Sequence, residues 1–327
     1  MIDTRKPDMK RNETTSATRD RPVNEVGPRL IDRRTKMLGI AAGLGAAAIW
    51  GGMYVVSKQM LDIVPPLTLV FLRVAIGTVT LAAIALATRA PRVAPRDLPF
   101  MALLGFIGLV ISMVVQFIGT KLSTAAYGAL ITSAVPVFLI LFAWPILGDK
   151  PTRRRIIGLL LATAGVIATI ALDARAQSEI ATGSTSVLTG NVLLVIAAVS
   201  WALYSVLSQV AARRYPVLVT TLYATGFGTV FNALIVPFGL RHYPTGEITP
   251  AVIPGILYLG IVSTAGAFYL WNKSIALLGA SIPAILFFAQ PVVGGLLGAL
   301  LLNETLGLAF AVGGGLILLA VLITARE

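Results

Sequence analysis

Apolar residues in this chain do not alternate with polar ones; they run on in long blocks separated by short breaks. Ten blocks approach the roughly 20 mostly apolar residues that an α-helix, rising about 1.5 Å per residue, needs to cross a bilayer. They cover 37–58, 66–88, 98–119, 123–147, 155–172, 187–209, 217–240, 251–271, 279–302 and 307–324. The breaks carry turn and charge signals: Pro65-Pro66, Pro91 to Pro99, Gly148-Asp149-Lys150-Pro151, the polar run 173–186, Arg213 to Pro216, and Arg241 to Pro250. A transmembrane β-barrel would instead show roughly ten-residue segments of alternating polarity. The pattern predicts an all-α polytopic membrane protein of ten transmembrane helices, with antiparallel neighbours.

Residues 1–36 break the pattern, with ten Lys/Arg and six Asp/Glu and little apolar clustering. They read as a disordered basic tail, weakly capable of a surface helix over 25–36. A cleaved leader is not expected, since the first apolar run starts near Met37 and is long enough to span.

Composition explains the solvent. Of 327 residues, 57% are apolar and 12% charged, half the charge of an average soluble domain. Without cysteine there is no disulfide framework or thiol nucleophile, and a single histidine, His242, cannot supply a multi-histidine metal site; no metal or cofactor is expected. The net charge of +12 does not point to nucleic acid, because the basic residues fall in the breaks rather than on one solvated surface. Placing the N-terminus inside puts 21 of the 26 Lys/Arg on the inner side and four outside, with Arg73 inside a helix. Both termini are therefore expected in the cytoplasm.

The chain also repeats. Pro136 and Asp149 are spaced like Pro291 and Glu304, and Gly158 maps onto Gly313. Earlier in each half, Trp50, Ser57, Pro65 and Gly77 map onto Trp201, Ser208, Pro216 and Gly228, 151 positions on. This predicts a first five-helix repeat over 37–172 and a second over 187–324. Five is odd, so the second must enter the membrane inverted. Charge agrees: Asp149-Lys150-Pro151-Thr152-Arg153-Arg154-Arg155 is basic, whereas its mate Asn303-Glu304-Thr305-Leu306-Gly307 is not. Inverted repeats suit secondary transporters, whose halves exchange conformations to give alternating access.

The run Ile49-Trp50-Gly51-Gly52-Met53-Tyr54, the Pro65-Pro66 entry with Arg73 following, and Asn303-Glu304-Thr305-Leu306 before a Gly-rich helix together resemble EamA-type transporters of the drug/metabolite transporter superfamily. Asp149 stands where the family usually has glutamate. Among these the chain is most similar to the YddG-type amino-acid exporters. The resemblance implies ten helices in two inverted halves. It also implies a central cavity lined by helices one, three, four, six, eight and nine, and export of a small metabolite such as an amino acid, aromatic ones included. It leaves the substrate open.

Candidate substrate-binding residues are Trp50, Tyr54, Gln116, Pro136, Trp201, Tyr204, Phe268, Phe287, Gln290 and Pro291. The two tryptophans sit near mid-helix, where a bilayer-centre indole is unusual, although helix packing would also place them there. Gln116 and Gln290 are amides that must find partners in hydrocarbon, from a substrate or from a neighbouring helix. Pro136 and Pro291 would break helices four and nine near mid-depth. Arg73 is a gating or structural candidate, since intramembrane charge is costly. Lys121, Asp149, Lys273 and Glu304, placed at helix ends, read as caps with a gating role second. Gly43-Leu44-Gly45-Ala46-Ala47-Ala48 mimics a dinucleotide fingerprint but lies in a spanning helix and is rejected. Gly39…Gly43 and Gly294…Gly298 permit close helix packing within a chain or between chains.

These residues point to a multi-pass inner-membrane exporter of small metabolites, monomer or homodimer, whose partners are a small-molecule substrate and the lipid bilayer. An uptake permease or facilitator is the alternative. A membrane-embedded enzyme lacks a His, Asp or Glu cluster at depth, and a channel lacks a continuous polar stripe.

Overall fold

The structure is a computed structural model that describes residues 32–61, 63–122, 134–176, 185–242, 250–302 and 308–325. The unit considered is Arg33–Glu327. The regular structure of its described residues is all helical, with no strand among them. In chain order the helices are α1 (Arg33–Leu61), α2 (Pro66–Ala87), α3 (Leu98–Gly105), α4 (Met113–Leu122), α5 (Val135–Leu147) and α6 (Arg153–Ala176). Next come α7 (Thr185–Ala212), α8 (Val217–His242), α9 (Ile253–Leu257), α10 (Ala267–Leu278), α11 (Ser281–Leu286), α12 (Ala289–Leu302) and α13 (Leu308–Ala325).

Among the described residues, six stretches are long and apolar enough to cross a membrane: Arg33–Met53, Pro66–Ala87, Pro95–Gly119, Thr189–Ala212, Val217–Phe238 and Ile253–Leu278. Val135–Leu147, Ser281–Gly294 and Ala311–Ala320 are shorter apolar helices. Polarity is turned inside out relative to a water-soluble bundle. Val79, Leu86, Leu234, Phe238 and Leu300 are each more than 60% exposed, while Arg73, Ser205, Thr221, Asn232 and Asn272 are buried. Only a surrounding of lipid tolerates such an exterior. The chain is a multi-pass membrane protein.

Several boundaries differ from the hydropathy reading. The eighth spanning segment continues to Leu278 rather than 271, so Lys273 lies inside α10 and not at a helix end. The stretch 279–302 is not one helix but α11 and α12, separated by a turn at Phe287-Phe288. The break precedes Pro291 by four residues because a proline lacks the N–H for the carbonyl four residues back and its ring crowds that group. Gln290 N donates to that carbonyl, on Phe287, instead. Most of 1–36, residues 123–133 of the fourth stretch, and 303–307 lie outside the described residues.

Two turns of π-helix interrupt spanning segments. Phe106–Ser112 joins α3 to α4, and Tyr258–Gly266 joins α9 to α10. Glycines let other helices press onto both. A Cβ on Gly77 of α2 would meet Thr264 at 2.7 Å, and one on Gly228 of α8 would meet Leu109 at 2.5 Å. The packing partners correspond as well. α1 lies against α10 and α12, while α7 lies against α4 and α5; α2 pairs with α8, and α6 with α13. Thr78 of α2 and Thr229 of α8, 151 positions apart, share a hydrogen bond of 2.9 Å. Gly39 and Gly43 pack within the chain, against Leu278, and against Leu286 and Ser274, whose hydroxyl donates to the Gly39 carbonyl.

Candidate functional site

A partly open cavity lies among these helices. α7 presents Leu194, Ala197, Ala198 and Trp201, one face at helical spacing. Trp50 and Met53 come from α1, Arg73 from α2, Val135 from α5, and Ser112, Met113 and Gln116 from the π-turn and α4. Phe268, Phe287 and Gln290 complete the lining from α10, the broken helix and α12.

The wall is an aromatic cluster. Trp50 meets Trp201 edge-on at a centroid distance of 5.2 Å and Phe268 at 5.7 Å, and Trp201 meets Phe268 at 5.1 Å. Such edge-to-face pairs add about 0.5–1.5 kcal/mol each beyond area burial. Behind them, Trp271 donates its indole N–H to Ser205 Oγ, and Asn272 Nδ2 donates to Tyr204 and Thr221 hydroxyls. This backing leaves little rotational freedom to the rings that face the cavity.

Arg73, 1% exposed, is the only ionisable group among the described lining residues. Its Nε donates to Thr264 Oγ1 at 3.0 Å, Nη2 to Ser263 Oγ at 3.0 Å and Nη1 to the Met53 thioether at 3.1 Å. The same π-turn receives Trp50: its indole N–H donates to the Ser263 carbonyl at 3.0 Å. The first π-turn is tied by neutral groups. Ser112 Oγ donates to the Ala197 carbonyl, and Asn232 Nδ2 to the carbonyls of Leu109 and Gly228. Two buried polar atoms on lining residues have no partner among the described residues, Trp201 Nε1 and Gln290 Oε1.

Of the residues singled out from sequence, Trp50, Gln116, Trp201, Phe268, Phe287 and Gln290 line the cavity together, and Arg73 joins them. Tyr204 does not line it; it is buried behind Trp201, its ring 5.2 Å away. Neither proline lines it. Pro136 is buried in the first turn of α5, and Pro291 is exposed in the first turn of α12. The side chains of Tyr54 and Lys121, and all of Glu304, lie outside the described residues. Sequence reading missed Met53, Ser112 and the α7 face. Spacing could have found them: Met53 lies one turn from Trp50 and Ser112 one turn from Gln116.

Asp149 sits apart from the cavity and ties two loops together. Its Oδ1 meets Arg155 Nη1 at 2.8 Å. Its Oδ2 accepts from the backbone N–H groups of Ala280 and Ser281, each at 3.1 Å, and from Ser281 Oγ at 3.0 Å. Gly279 beside it has φ +78°, and a Cβ there would stand 3.0 Å from the carboxylate, so both conformation and space call for glycine. No cluster of three potential metal ligands occurs among the described residues.

The sequence profile of the EamA-like transporter family matches the chain twice, over residues 37–171 and 188–326. The chain belongs to this family. It is 26% identical over 291 residues to a protein of Bacillus subtilis (strain 168) named uncharacterized transporter YetK, covering 85% of this chain and 86% of that one. It is 30% identical over 227 residues to a probable terminal-alkyne amino-acid exporter of Streptantibioticus cattleyicolor, covering 69% and 72%. A solved crystal structure superimposes with a TM-score of 0.72 at 22% identity, over 87% of this chain and 95% of the other, a likeness of fold. The EamA-like chain is thus a transporter by family.

Proposed function

We propose that this EamA-like protein is a secondary transporter of the bacterial inner membrane that exports small metabolites, amino acids with large apolar side chains among them. In this reading ten helices form two inverted five-helix repeats with both termini in the cytoplasm, and rocking of the halves opens the central cavity to each side in turn. The observation that carries it is the cavity wall itself. Trp50 and Trp201, at matching places in the two segments matched by the family profile, touch there. The Thr78–Thr229 hydrogen bond is a second such pair. Equivalent residues touch when a symmetry axis runs between them, and a site on that axis can be offered to both sides by exchanging the halves.

The chemistry of the wall suits the substrate class. Aromatic faces receive an apolar side chain and can hold an ammonium group by cation–π attraction. Arg73 is a cation at the cavity for a carboxylate, and Gln116 and Gln290 offer amides. The amino-acid exporter among the relatives points the same way. Asp149, bridging two loops outside the cavity, is a gating contact in this reading.

Counterflow in proteoliposomes tests the function. Unlabelled amino acid inside should drive uptake of labelled amino acid, and Trp201→Ala should reduce it at least tenfold. Absence of exchange for any small solute would contradict transport; normal exchange by Trp201→Ala would remove that residue from the site. Imposed pH and voltage gradients then establish the coupling and the direction of net flux.

A further inference from the structure

The two cavity tryptophans occupy matching positions but are bonded differently. Trp50 donates its indole N–H to the Ser263 carbonyl, inside the π-turn Tyr258–Gly266. Trp201 keeps its indole N–H buried with no partner among the described residues. The other π-turn, Phe106–Ser112, lies in a segment that leads its mate by 155 positions, with Pro95, Pro99 and Gly105 matching Pro250, Pro254 and Gly260, so the residue matching Ser263 in it is Gly108. Gly105 packs on the Ala224 carbonyl and Phe227 of α8 as Gly260 packs on the Arg73 carbonyl and Ile76 of α2, 151 positions earlier. One half therefore shows a closed indole-to-π-turn hydrogen bond, and its mate shows the same parts with the bond open.

A buried N–H without an acceptor is costly, and native structures rarely keep one. Discomfort confined to one member of a matched pair is what an inverted-repeat transporter has in a single conformation, since the other conformation interchanges the surroundings of the halves. A π-turn suits such a contact, because its i→i+5 ladder is less regular than an α-helix and a side-chain donor can take up a carbonyl there.

We propose that Trp50 and Trp201 are a reciprocal pair of positioning residues for transport. In the conformation described here Trp50 is bonded to the Ser263 carbonyl and Trp201 is open; in the opposite-facing conformation Trp201 bonds the Gly108 carbonyl and Trp50 lets go of Ser263. One indole hydrogen bond is exchanged for its mirror image in each half-cycle, so the two states stay close in energy while each ring is held against its own π-turn in turn. This rests on the alternating-access reading above.

The test uses the full chain, which contains no cysteine, so one introduced cysteine is a unique reporter. With Ala198→Cys in oriented vesicles, the rates of labelling by a membrane-impermeant maleimide from the two sides report the balance of conformations. Trp50→Phe removes the bond of the present state and should move the ratio of rates away from it by about fivefold. Trp201→Phe removes the open donor, and with it the bond of the opposite state, and should move the ratio the other way by a similar factor. Benzothienylalanine at either position keeps the ring shape without the N–H and should repeat both shifts, which keeps the test valid if a phenylalanine variant folds poorly. Shifts of the same sign, or a shift from Trp50 alone, would overturn the exchange. If the parent reporter labels from one side only, the alternating-access reading fails instead.

Discussion

The two π-turns lie at matching places in the sequence and each supports a cavity wall, yet one is tied by a buried guanidinium and the other by neutral groups. At Tyr258–Gly266, Arg73 reaches Ser263 and Thr264, and Trp50 adds its indole N–H. At Phe106–Ser112, Asn232 reaches Leu109 and Ser112 reaches Ala197. The difference teaches that two π-turns of similar form need not share their wiring. In the proposed alternating-access reading, such a difference leaves the cavity chemically one-sided, which a transporter needs if it is to orient an asymmetric solute.

Removing the cation should produce the largest effect on this contrast. Arg73→Met keeps much of the apolar stem but withdraws the donors to Ser263 and Thr264, and should cost about 3 kcal/mol of stability, seen as a fall in the thermal unfolding midpoint in detergent. A loss no greater than that for a neutral tie would erase the distinction between the turns. Asp149→Ala applies the same logic outside the cavity. It breaks a charge-assisted contact between loops and should cost about 2 kcal/mol, with faster proteolysis near Gly279; unchanged proteolysis would place no structural weight on the bridge. In the first π-turn the effects should be smaller. Asn232→Leu exchanges two amide-to-carbonyl bonds for an apolar group of similar size and should cost about 1 kcal/mol. Ser112→Ala should cost about 0.5 kcal/mol, read on the same melting curves, leaving Ser112 the weakest of the four ties.

Much of this arrangement was legible in residue patterns, and the reasons for the exceptions are physical. Apolar blocks marked the helices because a bilayer demands length and apolarity together. Trp50 and Trp201 were paired by spacing alone, and they touch. The α7 face could have been read from Leu194, Ala197, Ala198 and Trp201, which follow helical periodicity. The π-turns were not legible. They carry no proline, and what accompanies them is tertiary: α2 and α8 pressing on them through Gly77 and Gly228, and the Thr264 hydroxyl donating to the Leu259 carbonyl. Arg73 was visible as an intramembrane charge, but its hydroxyl partners lie 190 and 191 positions away, beyond any local pattern. Pro291 gave the break in the ninth segment, yet the disrupted carbonyl belongs to Phe287, so the turn and the cavity-lining residue lie a helical turn earlier.

The central claim is that one cavity serves both sides of the membrane. Ala197, on the cavity face of α7, is buried and lines it. With Ala197→Cys as the only thiol, an impermeant maleimide should label the chain from the outside of sealed vesicles and, in vesicles of opposite orientation, from the other face. A transported amino acid should slow both reactions. Labelling confined to one face, while counterflow remains intact, would contradict the account.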